Sequence, residues 1–361
     1  MFKKFFYSIV IIISIFVLFG FFLPKTVHIE RSIDIDRPAV LVFTLVNGFA
    51  TFNRWSPWAA RDDSAVYQYS GPDVGVGARM SWQGDPRLSG SGSQEIIASK
   101  PYSLVRTRLQ FDRQGVATAY YQIEPRAGGI ALTWGFDTDV TEGLNLVSGL
   151  MARYFGLLFD RWIGSDYEQG LTSLKALAES MPNADFSDLD VAVVDVAPVD
   201  ILYVSSVVGV QPRDIADSLA QAYQQIRTFI HDHHIEVSGQ PLAISHTVEE
   251  SGVAFDAAIP VTLPDGGGLL GDGVLDWADA AAASVHRGVS PSGRAIRAIH
   301  RGSYSRMRST YEKLAAYMQA HGLREGTVSW EQYVSDPSQT PEEELLTHIF
   351  FMLEADDTSG T

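Results

Sequence analysis

Residues 222–235 read AYQQIRTFIHDHHI, and residues 310–323 read TYEKLAAYMQAHGL. The two stretches align without a gap at a constant offset of 88 residues. Tyr223 falls on Tyr311, Ile226 on Leu314, Phe229 on Tyr317 and Ile230 on Met318. Tyrosine, aliphatic, aromatic and aliphatic residues thus recur at i, i+3, i+6 and i+7, the apolar stripe of an amphipathic helix. Strand-like runs flank both helices in the same order. Ile201–Ser205 precedes the first, and Pro241–His246 and Phe255–Val261 follow it. Ala295–His300 precedes the second, and Ser329–Val334 and Thr347–Leu353 follow it. The unit reads βαββ, twice. A period of about 90 residues marks a duplicated subdomain and not a solenoid. Two such units pair into one pseudo-symmetric sheet with both helices on one side, and the groove on the axis between them is a natural binding site.

Outward from this repeat, toward the N-terminus, Pro182-Asn183-Ala184-Asp185 and Ser187-Asp188 are polar and helix-breaking and mark a domain boundary. Before it, Val27, Ile29, Ile33 and Ile35 alternate with polar residues as a half-buried strand. Asp36-Arg37-Pro38 opens a helix, and the aromatic-rich stretch 49–58 follows it. Strands are expected around Ala65–Tyr69, Ala78–Trp82, Ser91–Ala98, Ser103–Phe111, Ala117–Glu124 and Ile130–Asp137, then one long helix from about Leu150 to Glu179. Phe52, Trp55, Trp82, Trp134 and Phe136 are candidate lining residues of a cavity beneath that helix. They would face Tyr154, Leu158 and Trp162, which share a helix face at i, i+4 and i+8. Core packing is the competing role for such aromatics.

Farther out, Phe5 to Leu23 is almost unbroken apolar sequence. Nineteen residues at about 1.5 Å each span roughly 28 Å, close to the thickness of a bilayer's hydrocarbon layer. Lys3 and Lys4 favour a cytoplasmic N-terminus, with everything after residue 25 on the far side, in the periplasm. A cleaved signal peptide is the rival; no small-x-small site follows the run.

The 361 residues fit two ordinary domains. A formal net charge of −16 without a basic run argues against nucleic-acid binding. The absence of cysteine removes disulfides, thiolate metal sites and cysteine nucleophiles. His231-Asp232-His233-His234 lacks a third ligand at metal-binding spacing, and Gly75-Val76-Gly77 and Gly266-Gly267-Gly268 lack the strand and helix context of phosphate loops. No cofactor or metal is expected. Leu263–Gly273 reads as a flexible loop and Ala355–Thr361 as a disordered tail.

The stretches VHIERSIDIDRPA (27–39), NGFATFNRWSPW (47–58), GPDVGVGARMSW (71–82) and RYFGLLFDRWIGSDYEQGLTSLKALAE (153–179) resemble the START/polyketide-cyclase-like (SRPBCC) superfamily. That resemblance implies a curved antiparallel sheet gripping the last helix around an apolar cavity. The stretches FDAAIPV (255–261), IRAIHRGSYSRMRSTYEKLAAYM (296–318) and WEQYVSDPSQTPEEELLTHIFFML (330–353) resemble the gyrase-inhibitor-like (GyrI-like) domain, also the effector-binding part of AraC- and MerR-type regulators. That resemblance implies binding of small, often cationic and aromatic molecules; some relatives hydrolyse reactive compounds. Relatives commonly read T-E-I-Y in the last strand, with the glutamate as counter-charge. Here the run is Thr347-His348-Ile349-Phe350, and the repeat partner of His348 is Asp256. If both face the groove, Asp256 is the remaining carboxylate and an Asp–His pair can act as a general base. Tyr223, Tyr311, Trp330 and Tyr333 are the further candidate ligand contacts, Tyr333 pointing the same way as Glu331 two residues before it.

The expectation is an α+β chain in four parts: a transmembrane anchor (1–25), a helix-grip domain (26–182), a duplicated βαββ effector-binding domain (188–354) and a tail (355–361). Its function is to bind or sense a small hydrophobic or cationic aromatic ligand at the membrane, with an unidentified protein partner for output. The alternatives are a cyclase-like or hydrolase-like enzyme and an envelope protein-interaction module.

Overall fold

The computed structural model describes residues 2–112, 115–209, 211–249, 252–262 and 284–354. The segments expected as a loop at Leu263–Gly273 and as a tail at Ala355–Thr361 lie outside them. The chain divides into two compact units, Met1–Ser187 with Gln319–Gly322, and Asp188–Met318 with Leu323–Thr361.

The first unit opens with helix α1 (Phe2–Phe22), of which Phe5–Phe22 is long and apolar enough to cross a membrane. Strand β1 (Thr26–Ile35), helix α2 (Ala39–Val46) and the short helix α3 (Pro57–Arg61) follow. Ser56 caps α3 by accepting from the Ala59 amide, and Pro57 occupies its first turn, where a missing N–H costs nothing. A meander comes next: β2 (Val66–Ser70), β3 (Arg79–Gln83), β4 (Ser91–Lys100), β5 (Leu104–Phe111), β6 (Gly115–Arg126) and β7 (Gly129–Asp139). These strands form a seven-stranded sheet in the order β1-β7-β6-β5-β4-β3-β2, every pair antiparallel. The expected single long helix is two helices, α4 (Leu146–Gly156) and α5 (Phe159–Glu179), with a turn at Leu157 and Leu158.

α5 is the gripped helix. Tyr167, Leu171, Leu174 and Ala178, at steps of four, three and four, are its buried stripe. Gly170 lies where α5 meets the sheet, and a Cβ there would fall 2.7 Å from the Trp134 ring. Arg31 on β1 ties the helix down through Glu168 (2.7 Å) and Asp160 (3.0 Å).

The second unit contains β8 (Val191–Val196), β9 (Asp200–Val208), helix α6 (Pro212–Asp232), β10 (Glu236–Val237), β11 (Leu242–Glu249) and β12 (Gly252–Thr262). Then come β13 (His286–Val289), β14 (Gly293–Arg301), helix α7 (Met307–Ala320), β15 (Glu325–Tyr333) and β16 (Leu346–Leu353). The main path of the sheet is β13-β9-β12-β11-β15-β16-β14-β8, with β10 paired to β12. β8 and β9 are six places apart, roughly 29 Å across a flat sheet. The chain from Val196 to Asp200 reaches at most about 15 Å. The sheet therefore curls, and Ile201 of β9 packs in one cluster with Ala295 of β14, Trp330 and Phe350 on the inner face. The other face carries the helices. α6 buries Ala222, Ile226 and Phe229 against Leu202, Ala257 and Ile259. α7 buries Leu314 and Met318 against Ile296, Ala298 and Ile349.

Candidate functional site

The middle of the second unit is the β11–β15 pair, in antiparallel register with Ala243 opposite Glu331 and Leu242 opposite Gln332. Side chains alternate along β15, so Trp330 turns to the inner cluster while Glu331 and Tyr333 turn to the helix side. There Glu331 is held by two phenols. Tyr311, from α7, donates to its Oε1 at 2.6 Å, and Tyr333 donates to its Oε2 at 2.6 Å. Tyr223, from α6, stands edge-on to Tyr333 at 6.4 Å between ring centroids and donates to the Leu242 carbonyl at 2.8 Å. Tyr304 stands perpendicular to Tyr333 at 5.7 Å, and at 38% exposure it is the outermost ring. Burial, then the Glu331 charge, pushes the Tyr311 and Tyr333 phenols well above their usual range. They remain neutral donors, and burial pushes Tyr223 the same way. Among the described residues no basic side chain forms an ion pair with Glu331. The result is a carboxylate hydrogen-bonded by two neutral phenols, with two further tyrosine rings packed edge-on against Tyr333.

Asp256 and His348 do not join this cluster. Ala257, Ile259 and Val261 pack under α6, so Asp256, between Phe255 and Ala257, faces the inner side. His348 shares the inner side with Phe350. No hydrogen bond or ion pair joins Asp256 to His348, and each has partners of its own. The expected pair is replaced by another that sequence reasoning missed. Asp256 Oδ2 lies 2.5 Å from His246 Nε2, and its Oδ1 accepts from Ser205 at 2.6 Å. His246 sits at a register shift of β11 between Ser245 and Thr247, which period-2 reasoning cannot locate. Serine and histidine both bond the aspartate and not each other, so the serine has no base and the trio is not a nucleophilic triad. His348 contacts Gln332 at 3.3 Å, and burial, then the charge of Arg297, lowers its pKa. Trp330 stacks on Phe350 at 4.7 Å as core.

In the first unit, Trp55 and Trp134 meet beneath α5 with Tyr121 and Tyr167. Trp134 lies 3.9 Å from Tyr167, stacked, and 5.4 Å from Trp55, edge-on. Both tryptophans are only 2% exposed, and neither indole N–H has a hydrogen-bond partner. Phe52 completes the group against Trp55, and Phe136 is buried. Trp82 stands apart, packed on Phe111 at 6.0 Å and donating to the Ser89 carbonyl at 3.1 Å. Tyr154 and Trp162 do not face this interior. The turn at Leu157 and Leu158 breaks the phase between the helices, leaving Trp162 exposed and Tyr154 against α1.

Residues 26–179 match the family described as polyketide cyclase / dehydrase and lipid transport, and residues 189–354 match the GyrI-like small molecule binding domain. No curated protein matches the chain. Among solved structures, the EcmrR C-terminal domain is similar at 14% identity and a TM-score of 0.38, over 46% of this chain and 98% of that one. A hydrolase from Listeria innocua is similar at 17% identity and a TM-score of 0.35, over 45% and 91%. The di-domain ARO/CYC StfQ from the steffimycin biosynthetic pathway is similar at 13% identity and a TM-score of 0.32, over 43% and 52%. The chain thus carries, in that order, a polyketide-cyclase-type (SRPBCC) domain and a GyrI-like small-molecule-binding domain.

Proposed function

We propose that this is a membrane-anchored small-molecule-binding protein whose ligand seat is the Glu331 cage of the second domain. The observation that carries it is the Glu331 carboxylate between the Tyr311 and Tyr333 hydroxyls, walled by Tyr223 and Tyr304. The duplicated βαββ reading supports the same place. Residue 243 plus 88 is residue 331, and Ala243 is the cross-strand partner of Glu331. A pseudo-two-fold relating the halves passes through this pair, bringing Tyr223 and Tyr311, also 88 apart, to either side. α1 is the anchor, with the domains in the periplasm. The protein binds its ligand without turnover and signals through a protein partner.

The test is titration of the full chain in detergent with tetraphenylphosphonium, a delocalised aromatic cation. Glu331→Gln should weaken binding by about 1.5–3 kcal/mol, the usual worth of a hydrogen bond to a charged group, or roughly 10- to 100-fold. Asp256→Asn and His348→Glu should leave it unchanged. Loss of affinity in Asp256→Asn with Glu331→Gln unaffected would move the site to the inner face.

A further inference from the structure

Two faces of α4 are occupied: at one, a Cβ on Gly156 would lie 3.1 Å from Val27 of β1, and the other meets α1. On that face the Tyr154 ring stacks on Phe16 of α1 at 4.0 Å, and its hydroxyl donates to the Phe16 carbonyl at 2.5 Å. The Arg153 guanidinium donates to the carbonyls of Phe21 (2.9 Å) and Leu23 (3.1 Å), the acceptors left open where α1 ends. Gly20 permits the close approach: a Cβ there would lie 2.8 Å from Leu150 and 2.9 Å from Tyr154.

Beside it, a third face is bare and apolar. Val147, Met151 and Phe155 follow one another on α4 at steps of four, and beyond them Leu158 in the turn and Trp162 on α5 are exposed too. Their exposure runs from 43% at Met151 and Leu158 to 73% at Val147. Leu144, Leu146 and Leu157 are exposed as well. No acidic residue lies between Leu144 and Phe159. Patches of this kind on soluble proteins mark a protein or membrane contact. Here the neighbour is α1, whose own flanks are bare along Phe5–Phe22. Tyr154 of α4 reaches Phe16, seven residues before Leu23, about 10 Å along the helix axis. Whatever solvates the last two turns of α1 therefore also reaches α4.

Resting on the reading of α1 as a membrane span, we propose that α4 and the first turn of α5 lie in the interfacial layer of the same bilayer, in the leaflet from which α1 emerges. A depth near 10 Å is that of an interfacial helix. Trp162, with Arg161 beside it, adds the side chains that favour the headgroup level at the start of α5. The first domain is then seated on the membrane and not tethered above it.

The chain has no cysteine, so single cysteines report one position each. Val147→Cys, Phe155→Cys, Ile12→Cys in the middle of α1 and Lys100→Cys at the β4–β5 turn are made in the full chain. Each is spin-labelled and reconstituted at high lipid excess in phosphatidylcholine–phosphatidylglycerol vesicles. Collision with oxygen, which concentrates in the bilayer, is compared with collision with a water-soluble nickel chelate. The oxygen-to-nickel ratio at 147 and 155 should exceed that at 100 several-fold, and that at 12 should be highest. Nickel-dominated collision at 147 and 155 with oxygen-dominated collision at 12 overturns the seat and leaves the anchor standing. Nickel-dominated collision at 12 as well overturns the anchor and the seat together. Dipolar broadening between labels at 147 would mean that a second copy covers the stripe, which also overturns it.

Discussion

At the scale of single residues, chemistry follows from which face of a strand a side chain takes. Glu331 and Trp330 are neighbours, yet one is a carboxylate ringed by tyrosines and the other a stacked core indole. His348 shows the cost of the inner face. Its pKa lies below the 6.5 of an ordinary histidine, because burial and then Arg297 disfavour the imidazolium. With the folded pKa depressed, the unfolded chain takes the proton first. The stability this neutral imidazole contributes is present above the unfolded pKa and is lost as pH falls through the folded one. In urea titrations of the second domain's transition in the full chain, the midpoint should fall more steeply on acidification in the native protein than in His348→Gln. Equal slopes would show that another group controls the acid limb.

At the scale of elements, the joint between α5 and the sheet depends on one absent side chain. In an isolated helix Gly→Ala gains about 1 kcal/mol. At Gly170 a methyl would meet the Trp134 ring at 2.7 Å and Pro57 at 3.1 Å. The ring is itself wedged against Tyr167 and Trp55, so it has little room to retreat. Overpacking of a filled core costs about 1–3 kcal/mol. Gly170→Ala should therefore lower the first domain's denaturation midpoint despite the better helix former. A rise would mean that α5 sits farther from the sheet than the structure has it.

At the scale of the whole molecule, each unit buries its own core: the aromatic group beneath α5 in one, and the clusters on the two faces of the curled sheet in the other. The segment between residues 182 and 188 is polar and carries Pro182. Residues 26–182 and 188–354, expressed separately, should each unfold cooperatively, with midpoints close to those in the joined chain. A fragment without a cooperative transition would show that the cores depend on each other.

The order of parts was legible in the sequence because its signals are local. An unbroken apolar run, a change of hydrophobic period, and two helices with tyrosines 88 residues apart can each be read within a short window. The candidate cage was legible in part. The repeat marks Tyr223 and Tyr311, and strand alternation puts Tyr333 on the same face as Glu331 two residues before it. Which carboxylate stands among them was a tertiary matter. Period-2 alternation shows that Asp256 and Ala257 face opposite ways, but not which way the helices lie. Only the packing of α6 and α7 made Glu331 the helix-side acid and sent Asp256 to a histidine on the next strand. The same holds for Tyr154. One helical phase from Leu150 to Glu179 points it into the grip, but the turn at Leu157 and Leu158 gives it to α1. The sequence by itself determined the composition of each element. Long-range packing decided which face of each element meets another, because that choice depends on partners far away along the chain.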